Sequence, residues 1–383
     1  MNYSSAITIS KTAYQTNIEF IQNMVGEDCL ISAVVKGNAY GHGIETFVPM
    51  AYSTGVRHFS VFSAQEASRV LDVLPGDADL MIMGHLDPDD VAWAVTHDLS
   101  FFVFDLVRLK RAIRSAKAIG KPAKIHLELE TGMNRTGLEK EELKAAVKII
   151  KADKKHLELT GVCTHLAGAE SISNHFRVKK QLKKFEKLVA ALAREGLKFE
   201  KRHTACSAAA IRYPSSRMDM VRIGILQYGL WPSREILVHY LERNKSAVDP
   251  LKRLLQWTSK VLAIKEVKRG DFIGYGTSYF TQEDKRIAIV PVGYSNGYSR
   301  GLSNTGRVLI RGKLAPVLGM INMNLLAADV SAIAEVNLNE EVVIIGDQQD
   351  QSISVRSFTD LSDQLNYELL SRIPQDIPRK IIA

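Results

Sequence analysis

Eight short apolar runs punctuate the first 230 residues of this chain, and a stretch of helical periodicity follows each one. The runs are ISAVVK (31–36), HFSVFS (58–63), DLMIMG (79–84), LSFFVFD (99–105), KIHLELE (124–130), LTGVCTH (159–165), KRHTAC (201–206) and MVRIGI (220–225). Between them, segments such as LVRLKRAIRSAKAIG and HFRVKKQLKKFEKLVAALAREG repeat apolar residues every three or four positions, the spacing of one helix face. Strands that alternate with helices pair in parallel and are buried on both sides. Eight such units in about 220 residues predict a (β/α)8 barrel. An open doubly wound sheet would show fewer strands and a glycine-rich phosphate loop after the first. The GHG that follows the first run lacks the third glycine of that fingerprint.

Past residue 240 the texture changes. LQWTSKVLAIKEV, KRIAIVPVGYS, RVLIRGKLAPVLG, NMNLLAADVS and EEVVIIGD are β-type runs joined by Gly, Asn and Asp turns, with no long helical period until SFTDLSDQLNYELLSRI. The reading is therefore an α/β protein: a (β/α)8 barrel over 1–240, then a mainly β domain over 241–383. The seam is placed in WPSREILVHYLERNKSAVDP. SAITIS, within residues 1–10, fits a strand of either domain.

Composition narrows the function classes. The net charge of +8 comes from lysines spread along helix faces, as in KKQLKKFEKL, which suits a solvated surface better than a nucleic-acid patch. The three cysteines, Cys29, Cys163 and Cys206, have no short spacing, which fits a reducing compartment and argues against a disulfide framework or zinc. MNYSSAITISKTAYQTN has no basic segment followed by an apolar core, and no run approaches the ~18 apolar residues of a membrane span. A cytoplasmic protein with no membrane partner is expected.

A barrel gathers its chemistry at the carboxyl ends of its strands. Those ends carry Lys36 on the first, Glu128 and Glu130 on the fifth with Arg135 following, and His165 on the sixth. Ser207 comes from the seventh, and Arg222, Gly224 and Ile225 from the eighth. HLELE and DPDD lack partner histidines at ligand spacing, so no metal is expected. Taken alone, Lys36 has two readings. It is a lysine snorkelling into solvent, or an amine whose pKa is lowered by apolar walls and which forms an imine with a carbonyl. The usual biological partner of the second kind is pyridoxal phosphate, held by an anion cradle that CSAAAIRYP and RIGIL could supply.

Several segments then resemble one family. AVVKGNAYGHG, TGMNRTG, RHTACSAA, MVRIGI, GYGTSY, PVGYSNGYSR, GMINMN and NYELLSRIPQDIPRK look like the signature segments of alanine racemase, in order and over nearly the whole chain. The resemblance implies a pyridoxal 5'-phosphate barrel with a C-terminal β domain, in a head-to-tail homodimer whose active sites are shared between chains. It implies Lys36 as the Schiff-base lysine and the base on the D face of the substrate. Tyr275 would reach in from the partner chain to serve the L face. A free phenol titrates near ~10, so that role needs positive charge close by. Arg222 would hydrogen-bond the pyridine nitrogen, with His165 beside the ring holding Arg222. Tyr40, Ser207, Gly224, Ile225 and Tyr367 would bind the phosphate. Arg135 and the Met323 amide would hold the substrate carboxylate, and Tyr294, Arg300 and Tyr367 would line a narrow entrance.

The chain also departs from the family. Many relatives carry a carbamylated lysine where Glu128 stands, so Glu128 is expected to pair with Arg135 as a carboxylate that needs no modification. Asn324 and Asn296 replace acids, Cys206 stands where asparagine is common, and Leu166 replaces a phenylalanine. These changes touch substrate choice more than reaction type. The rival readings are a racemase of the same fold with broader or shifted specificity, for serine or basic amino acids, and a non-catalytic pyridoxal-phosphate carrier. The second is disfavoured because carriers lack the β domain to which GYGTSY and GMINMN belong.

Overall fold

In a computed structural model, which describes residues 3–245, 247–359 and 366–383, all eight apolar runs become strands. Strands are labelled in chain order. β1 (Ser5–Ser10) stands apart from the barrel. The barrel strands are β2 (Leu30–Val34), β3 (His58–Ser63), β4 (Asp79–His85), β5 (Ser100–Val103), β6 (Ala123–Glu128), β7 (Leu157–Cys163), β8 (Lys201–His203) and β9 (Met220–Ile223). All pair in parallel, in the order β8-β7-β6-β5-β4-β3-β2-β9, and the ladder from Leu30 opposite Met220 to Ala33 opposite Ile223 joins first to last. The remaining seam, β8 to β9, is held by a few contacts. The Asp219 amide donates to the Arg202 carbonyl, the Arg222 amide donates to the Ala205 carbonyl, and Cys206 bridges Arg222. The barrel is nearly closed.

The helices between these strands follow from local sequence. Leu106–Ile119, for example, starts at Asp105, whose carboxylate accepts from the Arg108 amide, and stops at Gly120 in the left-handed region. It buries Leu109, Ala112, Ile113 and Ala116 along one stripe, where each large aliphatic side chain contributes about 2 kcal/mol.

Six barrel strands end sooner than their apolar runs, and at three of them, β2, β7 and β8, side chains from elsewhere in the chain claim the last carbonyls. The Val34 carbonyl accepts from Gln227 Nε2 and from Tyr228 Oη, both at 3.0 Å. The carbonyls of Thr164, His203 and Thr204 all accept from Arg222. Released from the ladder, these ends form the rim that carries polar side chains.

By its contacts the chain divides into two units: residues 13–36 with 47–252, and residues 1–12 with 37–46 and 253–383. The seam lies past residue 240, which sits inside the helix Arg234–Asn244. The reason is local. Asn17 exchanges two hydrogen bonds with the backbone of Lys252, each 2.8 Å, and Trp231 Nε1 donates to Asp249, so this connection stays with the barrel unit.

The second unit is built on one sheet. Its strands are β10 (Leu255–Lys260), β11 (Ala263–Val267), β12 (Lys285–Val290), β13 (Arg307–Ile310), β14 (Lys313–Leu318), β15 (Leu326–Asp329), β16 (Glu341–Gln348), β17 (Gln351–Ile353) and β18 (Arg379–Ile382). The order is β11-β12-β15-β14-β13-β16-β10-β1-β18, with β17 on β16. SAITIS therefore joins this sheet, antiparallel to β10 and parallel to β18. The late helical period appears as Val355–Thr359 and Asn366–Ser371; residues 360–365 of that stretch lie outside the described residues. No helix among the described residues is long and apolar enough to cross a membrane.

Candidate active site

Lys36 is the second residue past a strand end that is pinned from two sides. The Val34 carbonyl is held as described, and the Val35 amide donates to the Ser60 carbonyl at 2.8 Å. After Lys36 the backbone turns left-handed for five residues: Gly37, Asn38, Ala39, Tyr40 and Gly41 have φ of 61, 55, 54, 51 and 81°. Each non-glycine residue there costs roughly 1–2 kcal/mol. Asn38 offsets part of this, since its carbonyl accepts from the Gly43 amide at 2.9 Å and its Oδ1 from the Ile44 amide at 3.2 Å. Strain held in place this way is typical of functional segments. The Lys36 side chain is open to solvent yet surrounded by protein. Burial first, and the charge of Arg135 second, hold its amine below the usual lysine range, with Glu66 pulling the other way. More of it is therefore unprotonated and nucleophilic.

Arg222, on β9, is buried and nearly saturated. Nη1 donates to His203 Nδ1 and to the His203 carbonyl (3.1 Å); Nη2 donates to the carbonyls of Thr164 (2.8 Å) and Thr204 (3.3 Å). Nε–H alone has no partner among the described residues. His203, rather than His165, thus makes the side-chain hydrogen bond to Arg222. His165 lies close enough for the charges of Arg222, Arg135 and Lys36 to act on it, and burial, the larger cause, helps drive its pKa to about 3. It is a neutral imidazole. His203 escaped the sequence reading because KRHTAC looked like strand filler.

The expected pairing of Glu128 with Arg135 is not made. Glu128 is buried at the end of β6, and its Oε2 has no hydrogen-bond partner among the described residues. Burial raises its pKa, against smaller lowering effects from the Thr136 hydroxyl and the charges of Arg222 and Arg135. Arg135 instead rides exposed on the TGMNRTG loop. Glu130 shapes that loop, accepting from the amides of Gly132 and of Asn134 (2.9 Å). Sequence proximity suggested the pair, but the loop carries the arginine outward.

Ser207 and the turn after β9 form one cluster. Ser207 Oγ accepts from the amides of Gly224 (3.1 Å) and Leu226 (3.4 Å), which flank that of Ile225. In the second unit, the rings of Tyr40 and Tyr367 meet edge to face at 6.2 Å, and Arg379 donates to the Gly41 carbonyl.

The other expected residues of the second unit sit on three adjoining loops. Tyr275 stands between Gly274 and Gly276, both left-handed, and is 72% exposed. Gly293 lies so close to the carbonyls of Asn322 and Met323 that a Cβ would clash with both. There the Tyr294 amide donates to Asn322 (3.1 Å), and Asn324 Nδ2 donates to Ser295 Oγ (2.8 Å). Asn296 Oδ1 accepts from the Gly293 amide at 3.0 Å, so this amide works as a turn clasp. Arg300 reaches Met320 Sδ. The Met323 amide donates to no group among the described residues.

Comparison with known proteins decides the family. Residues 9–232 match the alanine racemase N-terminal domain and residues 254–381 its C-terminal domain. The chain belongs to the alanine racemase family. It is accordingly an isomerase, an amino-acid racemase. It is 34% identical to the alanine racemase of Leptospira interrogans serovar copenhageni, over 99% of this chain and 96% of that one. It is also 34% identical to alanine racemase 1 of Caldanaerobacter subterraneus, over 95% and 91%. Among solved structures it resembles the Bacillus anthracis alanine racemase with bound L-Ala-P, with TM-score 0.90 and 31% identity, covering 100% of this chain and 96% of the other. In fold it also resembles the Bartonella henselae alanine racemase with covalently bound pyridoxal phosphate, with TM-score 0.85 and 24% identity over 100% of each chain.

Proposed function

We propose that this chain interconverts L- and D-alanine with pyridoxal 5'-phosphate as cofactor, in a head-to-tail homodimer. The observation that carries the reading is Arg222, a buried residue: four hydrogen bonds fix its Nη atoms, and Nε–H remains as an oriented donor. A pyridine nitrogen is an acceptor of the right kind. Lys36 brings a free amine. The Ser207 hydroxyl, the amides of Gly224 and Ile225, and the hydroxyls of Tyr40 and Tyr367 suit a phosphate, and His165 would lie beside the ring. The residues present therefore fit the group, and the fold accommodates it in the Bartonella henselae protein. When bound, the cofactor supplies an aldehyde for the amine and a sink for the electrons left at Cα.

Arginine only donates, so Arg222 would offer Nε–H to the ring nitrogen rather than a proton. This restrains the sink and favours return of the proton to Cα. Lys36 moves the proton at Cα on the D face, and Tyr275 of the partner subunit moves it on the other. Removal on one side and delivery on the opposite side is what inversion requires. Arg135 and the Met323 amide hold the substrate carboxylate, while Tyr294, Arg300 and Tyr367 narrow the entrance. Asn324 holds the Met323 loop through its bond to Ser295 Oγ. Lys36, His165, Ser207, Arg222, Gly224 and Ile225 of the barrel unit bind the cofactor, and Tyr275 and Met323 of the second unit complete the partner's site.

The test is chiral chromatography of L-alanine and L-serine incubated separately with the protein and added pyridoxal phosphate. Alanine is expected to reach an equal D/L mixture, with serine slower by about tenfold or more, since a small pocket discriminates by one polar group to that order. Equal rates would make it a broad racemase. Retention of the cofactor with no conversion of either would leave a carrier.

A further inference from the structure

We infer that His126 and His203 form a hydrogen-bonded relay inside the barrel that sets the roll of Arg222, with His126 as a positioning residue two contacts away from it. The chemistry fixes the direction of every bond. Arginine only donates, so His203 Nδ1, which faces Arg222 Nη1, must be the unprotonated nitrogen. A neutral His203 then carries its proton on Nε2. That atom lies 2.8 Å from His126 Nδ1, which must accept it, and His126 in turn carries its own proton on Nε2. One guanidinium thus selects the tautomer of two successive rings. A second proton on either ring would set donor against donor, and burial together with Arg222 keeps both rings far below the usual imidazole range.

The fold makes room for this contact and for little else. His126 is on β6 and His203 on β8, with β7 between them, so the rings can meet only over β7. The register sets Gly161 of β7 opposite His126, and a Cβ at Gly161 would lie 2.1 Å from His126 Nδ1. The glycine has no left-handed backbone to explain it; it is required by the ring. Phe102 closes a third side, with centroids 6.1 Å from His126 and 5.9 Å from His203, and the Arg222 guanidinium carbon 5.9 Å above its own ring. At the far end His126 borders a cavity of about 180 Å3 at the amino ends of the strands, lined also by His58, Asp79, Lys124, Glu158 and Lys201. The relay therefore runs from the barrel's polar base to the arginine at its rim.

The consequence for catalysis rests on the role proposed above for Arg222. An acceptor held on Nη1 stops the guanidinium from rolling, and so keeps Nε aimed at one point. Two measurements test this. Long-range proton–nitrogen NMR of the histidine-labelled holoenzyme at neutral pH should show His126 and His203 as neutral Nε2–H tautomers. Either ring found as Nδ1–H, or doubly protonated, overturns the relay. In His126→Phe the acceptor is lost, while in His126→Gln the side-chain carbonyl can replace it. The Phe variant should lose kcat by about tenfold, or about 1.4 kcal/mol, with KM within about twofold and a shifted visible band of the bound cofactor. The Gln variant should recover most of that loss. A folded Phe variant with the parent kcat and spectrum overturns the positioning role; should it not fold, the tautomers decide. Correct tautomers in a protein that fails to racemise alanine would sustain the relay and refute the proposed function instead.

Discussion

At Glu128 a carboxyl is buried among charges without being paired, and this has a measurable cost. Its folded-state pKa lies above its unfolded value. Such a group favours the folded state while it is protonated, and that contribution is lost as pH rises through its folded pKa. Above that pKa the ionised, half-satisfied carboxylate is a liability. Replacing Glu128 with Gln should therefore raise the melting temperature at pH 7, and the gain should shrink toward zero below the ordinary carboxylate range. Melts at pH 4 and pH 7 check this; a Gln variant less stable at pH 7 would mean that the charge is compensated after all. The residue scale also shows what a sequence can convey. Lys36, Arg222 and Ser207 were legible because a strand end announces itself by pattern. The Glu128–Arg135 pairing and the His203 contact were not, because which side chains meet depends on loop paths and on strands far apart in the chain.

The left-handed turn after Lys36 shows the same limit for elements. GNAYGHG is readable as a turn from its glycines, yet three of its six left-handed residues are not glycine. The conformation is imposed from outside, by contacts with residues near 370 and by Arg379. Gly41 is the tightest point: its φ is +81°, and a Cβ there would lie 2.0 Å from the Leu370 carbonyl oxygen. Backbone cannot give way as a flexible side chain can. Gly41→Ala should cost about 2–4 kcal/mol, combining strain and overpacking. Denaturant titration measures it, and a loss below about 0.5 kcal/mol, the level of an ordinary surface change, would show that the turn yields. The barrel strands themselves were legible in number and order, since each buries a continuous apolar run. Their ends were not, because Gln227, Tyr228 and Arg222 take the terminal carbonyls from far along the chain.

For the whole molecule, the change of texture past residue 240 was enough to reveal a second unit, but the Asn17 clasp on Lys252 moves the seam to a place that only tertiary contact defines. Assembly is a further step, and Tyr275 carries it. A tyrosine 72% exposed on a glycine-flanked loop suits a residue that works in a neighbouring chain. In a two-fold dimer each site would take Lys36 from one chain and Tyr275 from the other. Lys36→Ala and Tyr275→Phe should each inactivate the homodimer toward L-alanine. Co-expressed under two different tags and purified as the mixed dimer, they should regain activity. One site then has both intact residues and the other has neither, so the rate should approach about half that of the parent, one working site of two. If Tyr275 served its own chain, every site of the mixed dimer would lack one base, and no activity would return. Recovery in the mixed dimer, with none in either homodimer, separates a shared site from a self-contained one without any structure of the complex.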